Sequence, residues 1–270
     1  MNVLFIGGGN MADALIGGLL KGGFDANQIR AVEIDSAARR RLSDKYRIEC
    51  AAESRGTVRP GEVVVFAVKP QQMKEAARFA GIKDNANLVI SIAAGVTLAS
   101  LAGWLGGHAR LVRAMPNTPA LIGAGVTGLY ALPGVSEAEK KQAETILGAV
   151  SVTVWIPDET LMDAVTAVSG SGPAYVFWFI EQLAAAGESL GLDQATSKKL
   201  AIETVLGSAK LAAQSADSPA VLRERVTSKG GTTEAALNSF DEQKLAERFI
   251  RAIEAARDRG AELGRMMGKD

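Results

Sequence analysis

The chain has 270 residues, 47% of them apolar and 22% charged, a balance that excludes a disordered or fibrous protein and leaves room for one large domain or two ordinary ones. Thirty basic side chains offset thirty acidic ones, so no overall positive field favours nucleic acid as a partner. Cys50 is the only cysteine, which rules out an intrachain disulfide and fits a reducing compartment, so a cytoplasmic location is expected.

The chain begins Met1-Asn2-Val3-Leu4-Phe5-Ile6-Gly7, without a basic n-region or a long apolar stretch, and no targeting segment is read there. Residues 3–6 predict a strand. Gly7-Gly8-Gly9-Asn10-Met11-Ala12 follows as a G-x-G-x-x-A loop before a helix predicted over 11–20. In such a loop Gly7 permits a tight turn, Gly9 lets backbone approach a pyrophosphate, and Ala12 keeps the helix close to the strand. The helix start adds unpaired N–H groups for the anion. Three glycines in a row also make a plain flexible turn; their place after the first strand of a βαβ series favours dinucleotide binding. A second strand at 29–32 leads to Glu33 and Asp35, where an acidic residue accepts the adenosine ribose 2′-hydroxyl and disfavours NADP. Arg39, Arg40 and Arg41, on a helix predicted over 36–46, read either as partners of a 2′-phosphate or as a solvated face. These residues leave NAD and NADP open.

Strands at 63–68, 88–92, 111–113, 127–130 and 151–156, with a helix over 71–80, continue the alternation expected of a doubly wound, mostly parallel, Rossmann-like sheet. Ala67, Val68, Lys69 and Pro70 end one of these strands and Ala93, Ala94 and Gly95 end another. Both segments lie at carboxyl ends, where such sheets bind ligands, and are expected to border the cofactor. His108, the only histidine, follows Gly106-Gly107 and is expected in a surface loop rather than in catalysis. No cysteine or histidine spacing suits a transition metal, and no metal site is expected.

After Pro157 the alternation stops, and a domain boundary is placed between a dinucleotide-binding region, 1–157, and an all-α region, 158–270. The most apolar run there, from Ala174 to Ile180, meets Glu181 and Gln182 short of the roughly 20 residues of a membrane span. Helices predicted over 175–190 and 195–213 are apolar around most of their circumference, which calls for burial on several sides and predicts a homo-oligomer, a monomeric bundle being the alternative. Ser228, Gly230, Gly231, Thr232 and Thr233 then place N–H groups and hydroxyls at a helix start. That start suits a small carboxylate, or is an ordinary helix start capped by Thr232 or Thr233.

Reduction of a ketone asks for a positioned acid, often histidine or lysine. The helix after Gly172 carries no lysine through Ile180. A protonated imine is already electrophilic at carbon, so a site of hydroxyls and backbone donors fits an imine better.

Several segments together resemble the pyrroline-5-carboxylate reductase family over essentially the whole chain. They are Phe5 to Ala12, Ala67-Val68-Lys69-Pro70, Arg113-Ala114-Met115-Pro116-Asn117-Thr118-Pro119, Asp163 through Tyr175, and Gly230-Gly231-Thr232-Thr233. The resemblance implies reduction of 1-pyrroline-5-carboxylate to proline, usually with NADPH, NADH being the alternative. It also implies dimers with interlocked helical domains, often assembled into rings. Carried over, the loop from Ser228 to Thr233 would hold the substrate carboxylate, Thr233 would act near the ring nitrogen, and Asn117 and the turn from Ser169 to Pro173 would lie close to the nicotinamide. Two positions depart from the pattern: Lys229 stands where the family has proline, and Glu33 and Asp35 stand where it often has small polar groups. A β-hydroxyacid reductase or other imine reductase on the same plan, and a non-catalytic dinucleotide-binding protein, are the competing readings.

Overall fold

The computed structural model describes residues 1–53, 58–82 and 87–268. Two compact units emerge: Met1–Ser171 with Ala256–Asp270, and Gly172–Ala255. The boundary read at 157/158 marks where the strands end, whereas compactness changes further along.

The first unit is built on one sheet of eight strands: β1 (Val3–Ile6), β2 (Ile29–Val32), β3 (Glu49–Ala51), β4 (Val63–Phe66), β5 (Val89–Ser91), β6 (Leu111–Met115), β7 (Gly125–Ala131) and β8 (Ser151–Trp155). Their spatial order is β3-β2-β1-β4-β5-β6-β7-β8, parallel throughout except for the antiparallel β6–β7 pair. Every residue of β1 is buried, yet successive side chains serve different cores: Val3 and Phe5 join one apolar cluster, Leu4 and Ile6 the other. Because strand side chains alternate between faces, a central parallel strand covered on both sides reads as an unbroken apolar run.

The helices of this unit are α1 (Asn10–Lys21), α2 (Ser36–Tyr46), α3 (Met73–Phe79), α4 (Leu98–Trp104), α5 (Glu137–Gly148) and the single turn α6 (Met162–Val165). Helix α1 buries Ala12, Leu15, Ile16 and Leu19, one stripe at helical spacing, in the cluster that holds Val3 and Phe5. Each of the larger of these side chains contributes about 1.5–3 kcal/mol by leaving water. Helix α2 starts at a true cap: the Asp35 carboxylate accepts the Ala38 N–H at 2.7 Å.

Helix α6 runs into a π-helical turn over Thr166–Gly170, closed by the Ser171 N–H donating to the Thr166 carbonyl at 2.8 Å. The second unit comprises α7 (Gly172–Ser189), α8 (Gln194–Gln214), α9 (Pro219–Arg225), α10 (Thr232–Glu242) and the start of α11 (Leu245–Gly268).

Three expectations need correction. Strand β3 is absent from the sequence reading; it is three residues long, at the sheet edge, and pairs Glu49 with Arg30 rather than carrying an apolar alternation. The helix predicted over 71–80 opens as a 3-10 turn, Pro70–Gln72, before α3, because proline fixes its start. His108 is not a surface-loop residue. It is buried, its Nε2 lies 2.8 Å from the Asn87 carbonyl oxygen, and burial holds its imidazole below the ordinary value.

Candidate functional site

The carboxyl end of β1 feeds directly into the glycine loop. Gly7 has φ +104°, a conformation that L side chains rarely adopt, and a Cβ there would lie 2.7 Å from the Ala67 carbonyl carbon. Its N–H donates to the Val32 carbonyl at 2.8 Å, which ties the loop to β2. Gly9 differs: a Cβ there would meet nothing within 4 Å. Packing therefore does not demand that glycine, and the space it leaves lies beside the start of α1. Gly9 caps that helix without any side-chain hydrogen bond, so the first-turn N–H groups of Asn10, Met11 and Ala12 have no side-chain acceptor at the cap. Asn10 is exposed, Met11 half-buried and Ala12 buried in the core.

These glycines line a cleft of about 460 Å³, together with Ala67, Val68 and Lys69 beyond β4. Glu33 and Asp35 border it after β2, and Ile34, Ala76 and Phe79 give it apolar walls. The Glu33 carboxylate is oriented by two backbone donors, accepting the Gly8 N–H at 2.6 Å and the Asp35 N–H at 2.8 Å. Two of the three arginines after it are committed locally, and Arg40 between them is exposed. Arg39 Nη1 donates to the carbonyls of Glu33 and Ile34 at 2.7 and 3.2 Å, and Arg41 Nη2 to the Gly8 carbonyl at 3.2 Å. An anion-receptive helix start, a glycine-walled cleft and a ribose-ready carboxylate suit a dinucleotide.

The remaining cofactor candidates lie elsewhere in the unit. Pro70 opens the 3-10 turn that Lys69 caps. Ala93 is buried and donates its N–H to Ser91 Oγ at 3.3 Å, with Ala94 following it. Gly95, at φ +77°, lines a second cleft of about 550 Å³ with Thr97, Arg113, Glu159 and Asp163. There the buried Arg113 pairs with Glu159 at 3.0 Å and Asp163 at 3.7 Å, and Glu159 also accepts the Leu98 N–H at 2.7 Å. Sequence reasoning missed this cluster, although an arginine inside the apolar strand Leu111–Met115 was its signal.

Asn117 is likewise committed: its Nδ2 donates to the Ser169 carbonyl at 3.1 Å and its Oδ1 accepts the Val126 N–H at 2.9 Å. Burial pushes the thiol of half-buried Cys50 above its ordinary value, which disfavours the thiolate. No group of three or more metal-ligating side chains occurs among the described residues.

The second unit holds the other candidate segment. Gly230 has φ +71°, and the Gly231 N–H donates to the Ser228 carbonyl at 3.0 Å, closing the turn that carries exposed Lys229. The Gly230 N–H is taken by Glu234 Oε2 at 2.7 Å. The cap of α10 is Gly231, not Thr232 or Thr233, and no side chain completes it. The first-turn N–H groups of Thr232 and Thr233, with their hydroxyls, are thus the donors this turn presents.

Fold and cleft together define a dinucleotide-binding protein of the doubly wound class. Residues 2–95 match the family model for NADP oxidoreductase, coenzyme F420-dependent, and residues 159–263 that for pyrroline-5-carboxylate reductase dimerisation. Pyrroline-5-carboxylate reductase from Pseudomonas aeruginosa is 45% identical over 268 residues, 99% of this chain and 98% of that protein. The reductase structure from Coxiella burnetii superposes with TM-score 0.91 at 41% identity, covering 97% of this chain and 98% of the other. The Plasmodium falciparum enzyme with NADP bound gives 0.84 at 27% identity, covering 98% of each chain. The chain belongs to the pyrroline-5-carboxylate reductase family. It is an oxidoreductase that binds a nicotinamide dinucleotide and carries a dimerisation region, and among the described residues no helix is long and apolar enough to cross a membrane.

Proposed function

We infer that the chain reduces the cyclic imine 1-pyrroline-5-carboxylate to proline in the cytoplasm, as a homodimer joined through its helical region and able to assemble into rings of dimers. Kinship with the Pseudomonas aeruginosa reductase over nearly the full length of both chains carries this reading. When bound, the reduced dinucleotide supplies a hydride to the imine carbon, and a proton on the ring nitrogen completes the secondary amine. The cleft at Gly7, Gly8 and Gly9 orients the dinucleotide. Residues 158–270 serve substrate binding and dimerisation. Within them the turn from Ser228 to Thr233 takes the substrate carboxylate on the N–H groups and hydroxyls of Thr232 and Thr233, with Thr233 nearest the ring nitrogen. The reaction needs no imidazole, which accords with the one histidine being engaged with the Asn87 carbonyl.

Absorbance of the reduced nicotinamide should fall with pyrroline-5-carboxylate, and not with a 2-keto acid or a larger cyclic imine. Thr233→Ala should lower kcat/KM about 10- to 100-fold, the loss of a hydrogen bond to a charged substrate, with dinucleotide affinity unchanged. Turnover of the keto acid, or a Thr233→Ala enzyme as active as the parent, would overturn the assignment.

A further inference from the structure

We propose that Glu33 makes this chain prefer NADH to NADPH. The inference rests on the dinucleotide reading of the cleft and not on the identity of the imine. Glu33 directly follows β2, the position from which an acidic side chain reaches the adenosine ribose in a doubly wound nucleotide fold. Its carboxylate does not hang loosely in solvent. The Gly8 N–H at 2.6 Å and the Asp35 N–H at 2.8 Å hold both of its oxygens, one of them directly against the loop that cradles the dinucleotide.

Each carboxylate oxygen keeps acceptor capacity for a ribose hydroxyl, because it has two lone pairs and one backbone donor. A 2′-phosphate at the same place would add a charge of about −1.5 to −2 beside a fixed carboxylate, with Asp35 two residues on. Swinging Glu33 away would forfeit two hydrogen bonds to backbone.

The side chain between the two acids offers no compensation. Ile34 is 74% exposed and lines the cleft, so an apolar group stands where a cation would be needed. Arg39, Arg40 and Arg41 follow on α2; Arg40 is exposed and does not line the cleft. Turning Arg39 to a phosphate means releasing the Glu33 and Ile34 carbonyls, and turning Arg41 means releasing the Gly8 carbonyl of the loop itself. Lys69 also lines the cleft, but it stands beyond β4 rather than after β2.

The test is binding of NADH and NADPH, separately, to the purified full chain by calorimetry without substrate. NADH should bind about tenfold or more tightly than NADPH, the scale on which like charges discriminate. Glu33→Gln keeps an oxygen for the Gly8 N–H and removes the charge; it should tighten NADPH and bring the ratio to within about threefold. Ile34→Arg, at an exposed position, should shift the ratio the same way and serves if the first variant folds poorly. Equal or tighter binding of NADPH by the parent chain overturns the proposal, as does an unchanged ratio in both variants. Failure of both dinucleotides to bind would instead remove the cleft's assignment altogether, whatever imine is reduced.

Discussion

Single residues in this chain show how far composition and motif reach. Gly7 is legible because a glycine closing a strand before a helix has one obvious use, and its positive φ with no room for a Cβ is that use. His108 is not legible. Its neighbours are glycines and an alanine, and only the fold reveals that its ring nitrogen meets the Asn87 carbonyl in a buried site. That site carries a pH signature. Burial is the largest cause lowering the His108 value below the ordinary 6.5, so the unfolded chain binds this proton more readily than the folded one. Stability is therefore highest above the unfolded value and declines as pH falls below it. Urea unfolding at pH 7.5 and 5.5 should show the parent losing more stability than His108→Gln over that interval. Parallel curves would mean the imidazole is as easily protonated folded as unfolded.

At the scale of elements, β-branched runs announce strands well. The sequence reading matches β1 and β2 residue for residue: Val3-Leu4-Phe5-Ile6 is an unbroken apolar run, and Ile29-Arg30-Ala31-Val32 is apolar at every position but Arg30. Strand β3 eludes the same logic, since a short edge strand needs no apolar side chains. What holds it is charge: Arg30, buried on β2, contacts Glu49 at 3.2 Å and the fully enclosed Glu62 at 3.0 Å. Glu62 also accepts the Arg59 N–H at 2.8 Å. Removing one partner of a buried ion pair costs about 3–5 kcal/mol, and the exposed Glu49 stays in reach of Arg30. Glu62→Ala should therefore sit near the low end, about 3 kcal/mol in chemical denaturation. A change below about 1 kcal/mol, the typical value of an exposed pair, would show that the cluster contributes little.

The π-helical turn at Thr166–Gly170 is likewise invisible in a pattern of period 3.6, yet it presents the Ser169 carbonyl to Asn117. The candidate turn at Ser228 was legible as glycines before a helix. Its internal bonding was not, since nothing in the order of residues says that Glu234 folds back onto the Gly230 N–H.

The whole molecule is most telling where it is least finished. Among the described residues of the second unit, Ala201 is the only buried apolar side chain, while Phe177, Trp178 and Phe179 of α7 are 60%, 54% and 47% exposed. An apolar surface of this kind marks an interaction site rather than a solvent face. The sequence foretold it through helices apolar on most sides, and the match of 159–263 to a dimerisation family gives the same answer independently. Trp178→Asp should at least halve the mass measured by light scattering and lower the melting temperature. An unchanged mass would place the contact on another face.

The sheet-bearing unit is not contiguous: residues from Ala256 onward return to it, and a Cβ at Gly264 would come within 3.0 Å of the Gly95 carbonyl oxygen. On the ribosome, the 84 residues of Gly172–Ala255 are translated before that segment exists, which takes roughly 4 to 17 seconds at bacterial-to-eukaryotic elongation speeds. The nascent nucleotide unit waits at least that long for this segment, so it closes only after the whole intervening helical unit has been synthesised.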